Sequence, residues 1–131
     1  MAEVLKKQVS LSFPEAVDRV KEIVSEEFSI LMVKSIDEVI TGKLNISNYP
    51  LKYTTILACG PDLAKMALDV SEDVGSLMPC SFSVYQKEGK VFVSHVSIMK
   101  LAAETGIANE NDMQPVIEET GKRVQRVWEK I

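Results

Sequence analysis

The segment that most restricts the possible folds is a pair of apolar runs, Cys80–Lys87 and residues 90–98, separated by Glu88 and Gly89. Two residues that end in glycine, placed between two such runs, are the strongest hairpin signal in the chain. We therefore predict two antiparallel strands joined by a tight turn. A sheet that contains this hairpin is the expected centre of the fold.

The register of the hairpin decides which face of the sheet His95, the only histidine, occupies. A two-residue loop pairs Phe82 with His95 and puts His95 diagonal to Cys80 on one face, where a catalytic pair is conceivable. A three-residue loop, with Gly89 in the left-handed region, slips the pairing by one residue and sends His95 to the opposite face. We favour the three-residue loop, because it gathers more apolar surface on one side. His95 is then expected to be an ordinary surface or edge residue.

The rest of the chain carries further strand and helix signals. Residues 8–13 alternate apolar and polar side chains as a half-buried strand does, and Ser12 with Glu15 fits a capping box that starts a helix. Strands are also predicted at 29–36 and 52–59, and helices at 36–44, 61–70, 99–105 and from about 111 to 131. Five residues of the last helix are predicted to point inward: Val116, Thr120, Val124, Val127 and Ile131. Helices that cover one face of a mainly antiparallel sheet make an α+β two-layer sandwich.

Size, charge and cysteine content narrow the possible functions. With 131 residues, 46% of them hydrophobic, the chain is predicted to form a single domain over residues 1–131. The net charge is −4 and the basic residues are dispersed, so we expect no nucleic-acid partner. No run of about 18 apolar residues is present, so we expect no membrane association. Two cysteines do not make a disulfide framework, and a cytoplasmic location is expected.

The two cysteines occupy similar positions, each beside a proline at a predicted strand end. Cys59 precedes Gly60 and Pro61, and Cys80 follows Pro79. One interpretation is that both are small apolar side chains that fill the core. The other is a thiol site, in which the amino end of the helix after Cys59 favours its thiolate. The spacing of the cysteines is unlike that of zinc ligands, so neither a metal nor a cofactor is predicted.

Four segments resemble a known family when they are taken in order. They are Phe13-Pro14-Glu15-Ala16-Val17, Ile56-Leu57-Ala58-Cys59-Gly60-Pro61, Leu77-Met78-Pro79-Cys80 and Phe82-Ser83-Val84-Tyr85. Together they are similar to the family called domain of unknown function 302. The resemblance implies a β-α-β4-α sandwich like the half-domain of the TATA-binding protein, a homodimer, and no agreed activity. Fold likeness to a DNA-binding protein does not imply DNA binding.

The chain departs from the pattern of that family at two places. Gly60 stands where the family usually has asparagine, so a side-chain amide that would contact a ligand is absent. Ser97, Ile98 and Met99 replace the Asp-Pro that tends to close the last strand, which removes any role that depends on that acid.

The functional prediction is a dimeric binding module. Its pocket, for a small molecule or a partner peptide, is expected near six residues: Cys59, Gly60, Pro61, Pro79, Cys80 and Tyr85. The alternative is a protein that transfers sulfur or redox equivalents through thiols, with Cys59 as the reactive group and Cys80 as its resolving partner. The sequence leaves open whether the chain is an enzyme.

Overall fold

The computed structural model describes residues 4–131, which form five strands and five helices. The strands are β1 (Val4–Val9), β2 (Ser29–Ser35), β3 (Lys52–Cys59), β4 (Cys80–Lys87) and β5 (Lys90–Val96). The helices are α1 (Phe13–Ser25), α2 (Ile36–Leu44), α3 (Pro61–Val70), α4 (Ile98–Glu104) and α5 (Glu110–Lys130), and a 3-10 turn covers Glu72–Leu77. The predicted α+β class is confirmed.

All five strands belong to one antiparallel sheet with the order β1-β5-β4-β3-β2. Helix α1 packs on β2, β3 and β4, and α5 packs on α1, α3 and α4. The largest core cluster joins α1 and α5 to one face of the sheet, with Phe82, Ile56 and Val20 among its fully buried side chains. Helices on one face and a sheet below them make the predicted two-layer arrangement.

The turn between β4 and β5 differs from the one we favoured. Lys87 pairs with Lys90 and Phe82 pairs with His95, so the loop has two residues and the prediction of a three-residue loop was wrong. Glu88 and Gly89 both have positive φ, at 53° and 77°, as a type I′ turn requires. This turn matches the right-handed twist of the strands, and the valines of β5 supply the apolar surface on the helical side.

The same register corrects the expected environment of His95. It is not a surface residue, because only 3% of it is exposed and it lies on the helix-covered face. Its ring stacks on that of Phe82, with 4.2 Å between centroids and 14° between planes. The other register would place an apolar side chain beside Phe82, and in the structure the ring of His95 makes this contact instead.

The first strand also lies elsewhere than predicted. β1 ends at Val9, and Ser12 already serves as the N-cap of α1, so residues 8–13 are mostly not a strand. The predicted capping box is present: the amide of Glu15 donates to the Ser12 hydroxyl at 3.3 Å, and the Ser12 amide donates to the Glu15 carboxylate at 3.4 Å. A residue that caps a helix no longer forms hydrogen bonds with a neighbouring strand, which explains why β1 ends early.

Within residues 4–131, no helix has both the length and the apolar composition that crossing a membrane requires.

Candidate functional site

A cavity lies between α5 and the β1–β5 side of the sheet, and we call it the α5 pocket. Its volume is about 460 Å³. It is lined by residues of β1, β5, the start of α4, and α5: Leu5, His95, Ser97, Lys100, Ile117, Thr120, Gly121, Val124, Gln125, Trp128 and Glu129. A volume of about 300 to 1,000 Å³ is usual for small-molecule sites, so the α5 pocket is large enough to hold a ligand.

One face of α5 forms the wall of the pocket, because its lining residues recur at intervals of three and four positions. Gly121 stands in the middle of this face. A Cβ atom built on Gly121 would meet no described heavy atom within 4 Å, so the missing side chain leaves open space. Glycine in a helix interior lowers stability by about 1 kcal/mol relative to alanine. In α5 this loss occurs at the position where the helix borders the open cavity.

His95 is the first of two buried polar side chains in the α5 pocket. Its Nδ1 lies 2.8 Å from the carbonyl oxygen of Ser81. A carbonyl oxygen only accepts hydrogen bonds, so Nδ1 carries the proton and donates. Nε2 is buried, and no partner within residues 4–131 reaches it. Burial lowers the pKa of His95, although the bond to Ser81 opposes this effect.

Thr120 is the second buried polar side chain in the lining of the α5 pocket. It is 6% exposed, and among the described residues none forms a hydrogen bond with its Oγ1. We call His95 Nε2 and Thr120 Oγ1 the orphan pair, since they are the two buried side-chain polar atoms of residues 4–131 without a protein partner. A buried polar group without a hydrogen bond costs free energy, and native proteins contain few of them. The two residues that carry these atoms line the same cavity.

Charged contacts with other parts of the chain hold α5 in place. Arg123 donates to both carboxylate oxygens of Asp62 in α3, at 3.0 and 2.5 Å. Arg126 binds Glu27 in the turn before β2 in the same two-pronged way, at 2.6 and 3.1 Å. At the end of the helix, Lys7 of β1 donates to the carbonyl oxygen of Trp128 at 2.8 Å. These contacts connect residues 123–128 of α5 to α3, to the turn before β2 and to β1.

The cysteine site predicted from the sequence is a separate and much smaller recess. Four of its six residues, Cys59, Gly60, Pro79 and Cys80, line a pocket of about 20 Å³. That volume admits about one water molecule, so the recess is too small for an organic ligand. Thr120 also lines it, which makes this residue the boundary between the recess and the α5 pocket.

The two thiols are not joined to each other. Both cysteines are free, and they occupy different ladder positions: Cys59 pairs with Ser29, and Cys80 pairs with Ala58. The Cys80 thiol donates to the carbonyl oxygen of Ala58 at 3.2 Å. Burial, with a smaller effect of nearby Cys59, raises the pKa of Cys80 to about 11. Cys80 is therefore protonated at neutral pH, which is unfavourable for a resolving thiol.

The two remaining residues of the predicted site lie apart from this recess. Pro61 is the first residue of α3 and does not contribute to the lining of either pocket. Tyr85 lies on the other face of the sheet, where its ring stacks on Tyr53 and Phe92 with centroid distances of 5.6 and 5.3 Å. In a strand, successive side chains alternate between faces, so Tyr85 cannot share a pocket with its neighbour Val84 on the helical side.

In the described part of the chain, no group of three or more His, Cys, Asp or Glu side chains is placed to hold a metal ion.

Thr120, Gly121 and Trp128 are not among the residues that the sequence predicted to be functional. A signal existed for Thr120, because a polar residue interrupts the otherwise aliphatic inward stripe of α5. The two-residue hairpin, which was the less favoured alternative, places His95 correctly on the helical face.

Comparison with known proteins identifies the family. A search of curated proteins finds no significant match. Among solved structures, the chain is similar to the crystal structure of an uncharacterized conserved protein, DUF302, from Bacillus stearothermophilus. The two are 21% identical, and the alignment covers 97% of this chain and 96% of that one with a TM-score of 0.82, which shows a shared fold. The family model described as domain of unknown function DUF302 matches residues 5–131, and the chain therefore belongs to the DUF302 family.

Proposed function

We propose that this chain is a binding protein for a small, largely apolar molecule and that the α5 pocket is its site. One observation carries the proposal: His95 and Thr120, the two residues of the orphan pair, both line a cavity of about 460 Å³. Ligand pockets combine an apolar wall with a small number of polar groups that fix the orientation of the ligand. Leu5, Val124 and Trp128 supply such a wall here.

The proposal moves the expected ligand site away from the cysteines while keeping it adjacent to them. Thr120 separates the α5 pocket from the recess at Cys59 and Cys80, so a ligand in the pocket would lie next to that recess. A thiol-transfer function has less support, because the protonated Cys80 thiol is engaged with a backbone carbonyl. We propose no reaction for the pocket.

A cavity-filling variant tests the proposal. Gly121→Leu would place a side chain into the α5 pocket, where no described atom opposes its Cβ. Gly42→Leu is the matched control, because Gly42 also lies in a helix, also has open space around its Cβ, and is not a lining residue of the α5 pocket. Naphthalene serves as the apolar probe, and its binding is followed by the NMR signal of the indole N–H of Trp128, the only tryptophan.

We expect naphthalene to shift the Trp128 signal in the unmodified protein and in Gly42→Leu. Gly121→Leu should bind naphthalene at least about tenfold more weakly, which corresponds to ~1.4 kcal/mol of binding free energy. Equal binding by Gly121→Leu and Gly42→Leu would place the ligand elsewhere and refute the proposal.

Two further proposals concern assembly and location. The homodimer expected from the family resemblance stays a prediction, and it is supported by exposed apolar residues on the edge strand β2, where Leu31 is 58% and Met32 is 53% exposed. Sedimentation equilibrium at high concentration should then show more than the 14.6 kDa species. A cytoplasmic location is supported by the two free thiols.

A further inference from the structure

We infer that the ligand of the α5 pocket is a neutral hydrogen-bond donor, an alcohol or phenol whose hydroxyl group binds the orphan pair while its apolar part faces Leu5, Val124 and Trp128. This inference rests on the proposed function and adds the chemical class of the ligand.

The protonation state of His95 decides whether Nε2 donates or accepts a hydrogen bond. Because the Ser81 carbonyl oxygen accepts from Nδ1, a neutral ring has its free lone pair on Nε2. The environment favours that neutral ring, since burial lowers the pKa of His95. Because Nε2 has no partner among the described residues, a ligand that reaches it must offer a donor. A molecule that offers only an ether or a carbonyl oxygen would place a second lone pair against Nε2.

The hydroxyl of Thr120 complements this acceptor. It can donate or accept, because its hydrogen rotates about the C–O bond. A ligand hydroxyl also has both capacities, so it can donate its hydrogen to His95 Nε2 and accept one from Thr120 Oγ1. A single hydroxyl group would then give hydrogen bonds to both atoms of the orphan pair.

The charges around the pocket favour a neutral ligand. Lys100 and Glu129 both line it, so its charged side chains are one positive and one negative and sum to no net charge. A carboxylate would bring only acceptor atoms to the lone pair of Nε2. An ammonium group could donate, but the transfer of its charge from water into a largely apolar pocket is costly.

Four probes that share one ring system test the inference. They are 2-naphthol, which is a neutral donor, 2-methoxynaphthalene, which is an acceptor only, naphthalene, which is neither, and 2-naphthoate, which is an anion. Dissociation constants come from calorimetry near neutral pH. The ring nitrogens of His95 are followed by 15N NMR. The chain has one histidine, so both signals belong to this residue, and Nδ1 and Nε2 are told apart by their couplings to the ring C–H protons.

We expect 2-naphthol to bind about tenfold more tightly than 2-methoxynaphthalene, the effect of one buried hydrogen bond that is otherwise unmade. Only 2-naphthol should move the Nε2 resonance, and the Nδ1 resonance should stay in place. Equal affinities of these two probes, or tighter binding of 2-naphthoate, would overturn the inference and leave the proposed function standing. If none of the four probes binds, the proposed function and the inference both fail.

A pair of valine variants locates the effect in the pocket. Thr120→Val should weaken the binding of 2-naphthol about tenfold and change that of naphthalene by less than about twofold. Thr41→Val is the control, because the hydroxyl of Thr41 lies on α2 and donates to the Glu38 carbonyl oxygen at 3.2 Å. A loss of affinity for both probes in Thr120→Val would mean that the residue acts by packing alone, which would contradict the inference.

Discussion

Replacement of Thr120 by valine is expected to stabilise the free protein. A buried hydroxyl without a hydrogen bond costs about 1 to 3 kcal/mol. Thr120 is 6% exposed, and no group in residues 4–131 is bonded to its Oγ1, so this penalty applies to the folded state. Valine puts a methyl group of similar size in place of the hydroxyl, and the helix propensities of the two residues are close. The free energy of unfolding should therefore rise by about 1 to 2 kcal/mol.

The assay is urea unfolding followed by circular dichroism, with thermal unfolding as a second measurement. A gain of 1 kcal/mol corresponds to an increase in Tm of about 3 to 5 °C for a domain of this size. Thr41→Val is again the control. Its hydroxyl is exposed and already bonded to a backbone carbonyl oxygen, so its free energy of unfolding should stay within about 0.5 kcal/mol of the unmodified value.

A lower free energy of unfolding in Thr120→Val would contradict this reasoning. If Thr120→Val destabilises the protein, the hydroxyl has a strong partner in solution, such as a firmly held water molecule. The orphan pair would then be satisfied without a ligand, and the reasoning that leads from it to a binding site would be refuted.

Three further predictions follow from the pKa shifts and the turn geometry. The free energy of unfolding should fall as the pH drops below 6.5, because His95 binds a proton more readily in the unfolded chain than in the folded protein, where it is buried. Urea unfolding at a series of pH values measures this dependence, which should be lost in His95→Phe. A dependence that persists unchanged in this variant would contradict the lowered pKa of His95. In Cys59→Ala, the remaining Cys80 thiol should react slowly with a disulfide reagent near neutral pH and faster at strongly alkaline pH, because burial, the larger cause of its raised pKa, remains. Rapid labelling near neutral pH would contradict that burial. Glu88→Asn should raise the free energy of unfolding by about 0.5 kcal/mol, because asparagine tolerates the φ of 53° better than glutamate does; a decrease in urea unfolding would argue against this turn.

Local signals predicted much of the fold. The bounds of β3 and α3 follow from a strand-forming run that ends at Gly60, with Pro61 supplying the first helical residue. Ser12 and Glu15 likewise define the start of α1 through contacts within one turn. Such elements are predictable because the interactions that set their ends involve residues close together in the chain.

The register of the hairpin and the α5 pocket depend on residues far apart in the chain. In the observed register His95 stacks on Phe82, a contact that the apolar count did not consider and that exists only after the strands pair. The pocket forms where the bare backbone of Gly121 faces β1 and β5 across a gap. Sequence periodicity predicts which side of α5 faces inward, including Thr120, but it does not predict that the opposing surfaces fail to close.

The most direct test of the account is a crystal structure of the protein with 2-naphthol. We predict electron density for the naphthalene ring in the α5 pocket, with the hydroxyl oxygen within about 3 Å of His95 Nε2. Density at the cysteine recess or on the sheet face that carries Tyr85, with the α5 pocket containing only water, would contradict the central claim that the orphan pair marks the ligand site.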